Sequence, residues 1–335
     1  MIRSMTPLAL VFALTACDGG STGTAPGTDT TGPGGDNGDS PLSLTVPVVG
    51  DFTCFNPTDD HAATTWLTQT PAAGNVQNIT INGQAQEFRT DDPSDLTVVS
   101  IWYDNTTSGP ADATAETNAS GQLTIEAPSC EPVSYLALRD QTLEQDKPTY
   151  KAHQVYPPVS PFDGEFITVS NDTFLLIPSI LGVTPEPGKS IIAGTAYDCS
   201  RDPVLLSDID DGKVRGAQVL VKNTDGTLAP GVSVFYFVER FPDRDQPHTS
   251  ADGLWIAINV PEGEFRVELW GLVDDEERLL GATRLTSVAD SINISNIFGG
   301  FGDGVKLPND CLDPDAGGDD TDADDDTDAD TDLPT

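Results

Sequence analysis

Beyond residue 77 the chain is a succession of short runs in which apolar and polar residues alternate, broken by Gly, Pro, Asn and Asp. The first half carries "NITINGQAQEF", "LTVVSIWY", "GQLTIEA" and "VSYLALR". The second carries "SIIAGTAYD" (190–198), "KVRGAQVLVKN" (213–223), "GVSVFYFVER" (231–240), "GLWIAINV" (253–260) and "EFRVELWGLV" (264–273), then "RLLGATRLTSV" and "DSINISNI". Period-two alternation puts successive side chains on opposite faces of a strand, and neither half sustains a helical period. Asn82-Gly83 is a two-residue hairpin signal. The pattern predicts an all-β chain of two tandem Ig-like β-sandwich domains, each of about seven strands.

The two halves repeat one another. "VSIWY" at 99–103 matches "VSVFY" at 232–236, and "TNASGQLTI" from Thr117 matches "TSADGLWIA" from Thr249. Gly50–Cys54 parallels Gly194–Cys199, so each copy opens on a strand running into a cysteine. The predicted organisation is a leader at 1–16, a linker at 17–42, a first sandwich at 43–140, a connector at 141–188, a second sandwich at 189–311 and a tail at 312–335. In the connector, "KPTYKAHQVYPPVSPFDGE" reads as extended chain, and Phe174 to Val183 as a strand or turn docking onto the second sandwich. Cys54, Cys130, Cys199 and Cys311 make an even number, which in an exported chain reads as two disulfides out of three pairings. The repeat favours Cys54–Cys130 and Cys199–Cys311. The rival, zinc ligation, lacks a Cys-x-x-Cys or Cys/His cluster.

The ends refine the picture. Arg3 precedes an apolar run from Pro7 to Ala16, too short to span a bilayer, and "LTAC" ends at Cys17. This resembles the lipobox of bacterial lipoproteins. The resemblance implies cleavage before Cys17, acylation of Cys17 and anchorage in the cell envelope without a spanning helix. An outer-membrane or cell-surface site is expected, with Asp18 the residue that would instead suggest inner-membrane retention. The linker is Gly, Thr, Pro and Asp, a composition that cannot bury a core. The tail from 313 holds eleven Asp, and removing them takes the formal charge from −38 to −27. So acidic a chain is not a nucleic-acid binder. The Asp-x-Asp spacing lacks an EF-hand's closing Glu, which leaves weak calcium binding as the most the tail offers.

In the second half the order "AGTAYD", "RGAQVLV", "TSADGLW", "NVPEGEFRVEL" resembles the carboxypeptidase regulatory-like domain, a transthyretin-like sandwich. Gly194, Gly216-Ala217, Thr249, Gly253, Trp255, Val260-Pro261, Gly263 and Phe265 stand at the family's positions, with Ser250 departing from the usual Asp. The first half resembles it more weakly, and the whole layout is similar to exported lipoproteins of myxobacteria and their relatives.

Motif tests for catalysis fail. His61, His153 and His248 have no Glu three residues on, and each reads as a solvated loop residue. The Gly-x-Ser-x-Gly spacing occurs only at Gly19 to Gly23, in the linker, where the composition offers no strand-to-helix elbow, and there is no phosphate-cradling loop. Asp252 before Gly253 is Ser120 in the other copy, so it reads as a turn former rather than a base. The chain is therefore expected to be non-catalytic and without a cofactor: a binding or adhesion module for an envelope protein or glycan, or alternatively a structural spacer. Trp66 is the candidate ligand contact, with a packed aromatic as its plainer reading.

Overall fold

Strand by strand, the alternation of the sequence becomes two faces of a sheet. The computed structural model describes residues 42–57, 66–139, 146–203, 212–302 and 305–312, all within one compact unit that starts at Leu42. Cys17, Asp18, His61 and the Asp-rich tail lie outside the described residues. The first sandwich comprises β1 (Asn78–Glu87), β2 (Thr97–Trp102), β3 (Ala113–Glu116), β4 (Gln122–Pro128), β5 (Val133–Arg139), β6 (Asp146–Lys147), β7 (Thr149–Gln154) and β8 (Phe162–Ser170). Helix α1 (Asn171–Leu181) follows. The second sandwich comprises β9 (Ser190–Tyr197), β10 (Gln218–Asn223), β11 (Ser233–Val238), β12 (Phe241–Asp243), β13 (Leu254–Val260), β14 (Gly263–Val273), β15 (Glu276–Ser287), β16 (Ile292–Ile294) and β17 (Ile297–Phe298).

In the first sandwich the sheet β4-β1-β8-β6 faces β7-β5-β2-β3, and Ile79, Ile81, Ile125, Tyr135 and Phe166 fill the space between them. In the second, β10-β14-β15 faces β12-β11-β13-β9-β16 around Trp255, Val267 and Leu269. The two are not separate beads. Strand β16 pairs in parallel with β9 on one side and with β7 on the other, so one continuous sheet runs through both sandwiches.

The duplication is real, but its register differs from the one read from the sequence. Ala85 N–H donates to Gly121 O, and Ala196 N–H donates to Gly253 O. Thr97 N–H donates to Thr117 Oγ1, and Ala217 N–H to Thr249 Oγ1. These matching bonds equate β1 with β9, β2 with β10 and β4 with β13. "VSVFY" on β11 is therefore not the counterpart of "VSIWY" on β2. The shared turn glycine is needed twice over. Gly121 and Gly253 have φ of 74° and 63°, and a Cβ on either would sit 2.8 Å from the carbonyl oxygen of the alanine whose N–H the glycine accepts. Replacing Thr249 by Val leaves the buried Ala217 N–H without its side-chain acceptor. The expected cost is about 1–3 kcal/mol in denaturant unfolding.

Several sequence expectations change for local reasons. Asn82-Gly83 makes no hairpin, because β1 runs straight through it with Asn82 and Gly83 opposite Thr124 and Leu123. Gly83 is there for space: a Cβ would lie 2.5 Å from the Phe166 ring. The described part of the expected connector supplies β6, β7 and β8, and β8 pairs in parallel with β1 inside the first sandwich. Phe174 to Val183 does dock on the second sandwich, but as helix. Ser170 caps it by accepting from Thr173 N–H, and Gly182 ends it in a left-handed conformation. Phe174 and Leu181 pack with Ile256, Ile258 and Ile292, so the β9–β13 layer is covered on both faces. That explains why "LWIAINV" is nearly continuous in apolar character.

Glu87 holds this helix to β1. One carboxylate oxygen accepts from the Ser170 and Thr173 hydroxyls, and the other from the amides of Arg89 and Thr90. Burial alone would raise its pKa, but these four donors prevail and hold it at about 2. A depressed carboxylate stabilises the fold above its unfolded pKa of about 4.3, and the contribution fades as pH falls toward 2. For so exposed a group the effect is about 1–2 kcal/mol after solvent screening. The unfolding temperature of Glu87→Gln should lie a few degrees below wild type at pH 7 and converge with it near pH 2.

The disulfides correct the pairing favoured above. Cys54 bonds Cys199 and Cys130 bonds Cys311, with Cα separations of 6.2 and 5.4 Å. The reason lies in where the chain ends run. Residues 42–57 do not open the first sandwich; they lie on the second, with Val49 bridging Arg215 and Pro47 bridging Leu272. Residues 305–312 return toward the first sandwich, where Leu307 packs with Cys130 and Val155. Lys306 Nζ donates to the carbonyls of Cys199 and Arg201, both at 2.5 Å. Burial pushes that ammonium pKa down, opposed by the carboxylates of Asp202, Asp198 and Asp51.

Candidate ligand groove

The difference between the two sandwiches creates the candidate site. From Ala217 to Thr249 the chain takes 32 residues, whereas from Thr97 to Thr117 it takes 20. The longer segment forms β11 and β12, and β11 pairs along the outer edge of β13 from Ser233↔Ile258 to Tyr236↔Trp255. The shorter one forms β3, which pairs with β2 in the opposite sheet. Among the described strands, β4 is therefore left paired with β1 alone. A groove of about 530 Å³ opens between the edges of β3 and β4.

Its walls follow from strand geometry. Buried Leu123, Ile125 and Ala127 turn one face of β4 into the core, leaving Thr124 and Glu126 outward. Thr80, opposite Glu126 on β1, continues that face. Across the groove stand Tyr103, Asp112 and Thr114. Asp112 is held by the Tyr103 N–H at 2.8 Å, and the Tyr103 hydroxyl spans the gap to donate to Glu126 O at 3.1 Å. Burial raises the Tyr103 phenol pKa, and the carboxylates of Asp112 and Glu126 raise it further. Both carboxylates thus bear on one aromatic ring.

The edge of β4 is closed at two points. Gln122 exchanges bonds with Asn118, and Glu126 O is taken by Tyr103. Because backbone groups alternate in direction along a strand, Thr124 N–H and C=O face the groove between those two closures.

The residues singled out from sequence sit elsewhere. Trp66 is half-buried, with its ring tilted against Phe55 at 6.3 Å, covered by the Arg266 guanidinium at 6.0 Å and packed against Gly302. Its Nε1–H is buried without a hydrogen-bond partner. The ring is committed to packing at the second sandwich and does not line the groove. His153 is not a solvated loop residue. It lies within β7 and bonds Asn105 on its own sandwich and Arg284 O on the other. His248 bonds Thr249 O and the Gln246 amide within its turn. Among the described residues no group of three His, Cys, Asp or Glu is arranged to hold a metal. Tyr103, the centre of the groove, appears in the sequence only as the last letter of "VSIWY". The usable signal was the shortened interval before Thr117, legible only once β2 is aligned with β10.

No family model matches the chain, and no curated protein matches it. Among solved structures it is similar to the Bacillus anthracis TIE protein at 10% identity and a TM-score of 0.22. That match covers 66% of this chain and 33% of the TIE protein, so the chain spans about a third of its length. It is also similar to the shaft pilin SpaA of Lactobacillus rhamnosus GG (10% identity, TM-score 0.21), covering 69% of this chain and 99% of that one. For GBS52, the minor pilin of Streptococcus agalactiae, the values are 10% and 0.19, covering 69% and 98%.

Proposed function

We propose that the chain is a non-catalytic lipoprotein of the bacterial cell envelope, anchored through Cys17. In this reading its fused sandwiches form a binding or adhesion module for a glycan or a protein at the outer membrane or cell surface. The observation that carries the binding reading is the groove on the first sandwich. It is a polar recess on a frame fixed by a shared sheet and two disulfides, so ligand contacts are held in place before binding. The lipobox-like "LTAC" supports the anchor, and the order of Thr249, Gly253 and Val260-Pro261 supports a carboxypeptidase regulatory-like second sandwich.

The test is retention of envelope material on the immobilised full chain carrying Cys17→Ser, which removes the lipid acceptor. Specific retention of a glycan or protein is expected; retention of nothing overturns the binding reading. The continuous sheet favours a second reading, a rigid spacer. A calcium titration separates the two, since a calcium-stiffened spacer would melt at a higher temperature in millimolar calcium.

A further inference from the structure

We infer that the groove between β3 and β4 is a saccharide site selective for neutral or amine-bearing sugars. This rests on the binding-module reading and names the ligand class for its site. Three features of the groove point the same way.

The first is the chemistry of its walls. Tyr103 offers an aromatic surface, Thr80, Thr114 and Thr124 offer hydroxyls, and Asp112 and Glu126 offer carboxylate acceptors. A polyhydroxylated ring presents the complement: an apolar C–H face for the aromatic and a rim of O–H groups for the acceptors. The volume, about 530 Å³, lies within the range of about 300–1,000 Å³ typical of small-ligand sites.

The second is sign. No Lys or Arg lines the groove, and both carboxylates act on Tyr103. A uronic acid or a sulfated or phosphorylated sugar would meet like charge there, whereas an amino sugar would meet opposite charge.

The third feature disfavours the obvious competitor, an extended peptide adding a strand to the β4 edge. Such addition needs a row of free backbone groups. Here Asn118 occupies both backbone groups of Gln122 and Tyr103 occupies Glu126 O, so the groups facing the groove between these closures are confined to Thr124 N–H, Thr124 C=O and Glu126 N–H. So short a run of backbone groups suits sugar hydroxyls better than a strand. In the second sandwich the equivalent edge is already filled by β11, so one site per chain is expected.

The experiment is a calorimetric and NMR titration of the full chain carrying Cys17→Ser with four probes. These are the trimers of N-acetylglucosamine, glucosamine and galacturonic acid, and an alternating Lys-Thr peptide. The first two trimers should bind, the glucosamine trimer more tightly at low salt, with shifts centred on Tyr103 and Thr124. The galacturonic trimer should not bind. Tyr103→Ala should weaken binding at least tenfold. Because Tyr103 also closes the β4 edge, the paired variant Asp112→Asn with Glu126→Gln provides a second readout. It should keep the N-acetylglucosamine trimer and lose the preference for glucosamine. Failure of every trimer to bind, undiminished binding in folded Tyr103→Ala, or binding of the peptide alone would overturn the assignment. If the chain retains envelope material while these trimers fail, the groove assignment falls and the binding-module reading stands. If nothing is retained either, both fall.

Discussion

In a Cys17→Ser background, the variant Cys54→Ser with Cys199→Ser is expected to unfold about 10–20 °C below its parent, with no free thiol. The bond closes a 145-residue separation, for which the chain-entropy model gives about 5 kcal/mol. The second bond closes 181 residues and overlaps the first from Cys130 to Cys199, so the two contributions are not additive. Loss of the first bond frees residues 42–57 from the second sandwich, where Val48 and Phe52 pack against its core. Differential scanning calorimetry reads the temperature, and thiol titration reads the pairing. The domain-by-domain pairing would leave Cys130 and Cys311 as two free thiols in this variant; the interleaved pairing leaves none.

Among the described glycines, Gly194→Ala should be the most damaging addition of a methyl group. A Cβ at Gly194 would lie 2.1 Å from the carbonyl oxygen of Ser295 and 3.0 Å from the Trp255 ring. Neither can move cheaply. Ser295 N–H is bonded to Ala193 O in the seam between β9 and β16, and Trp255 is fully buried. Overpacking a dense core costs about 1–3 kcal/mol, and a backbone obstacle puts this substitution at the upper end or beyond. Since β16 also carries β7, the damage should spread across the seam. Amide exchange at residues 149–151 and 292–294 should accelerate together, and the unfolding temperature should fall by roughly 10 °C. Faster exchange confined to one strand would mean that the shared sheet does not couple the sandwiches.

Much of the strand layout was legible because alternation is a local property. Val99 and Ile101 on β2, Leu123 and Ile125 on β4, and Val267 and Leu269 on β14 all point into the cores their pattern predicts. What was not legible depends on partners distant in sequence. Nothing near Cys54 reveals that its segment crosses to Arg215, and nothing near Cys311 reveals its return to Cys130. Asn82-Gly83 carries the letters of a turn, and only Phe166, more than eighty residues away, shows that the glycine makes room for a ring. The helix at Asn171–Leu181 carried its own signals in Ser170 and Gly182. Pro178 inside it, and a face left apolar by Leu175 and Ile180, obscured the amphipathic period. The groove was least legible, because it is produced by a hairpin the first sandwich lacks.

The two sandwiches form one interleaved body, with residues 42–57 locked to the second sandwich and residues 305–312 to the first. The most direct test is mass-spectrometric mapping of a digest made without reduction. Peptides containing Cys54 and Cys199 should be joined, and those containing Cys130 and Cys311 likewise. Recovery of Cys54 joined to Cys130, or of Cys199 joined to Cys311, would contradict the account.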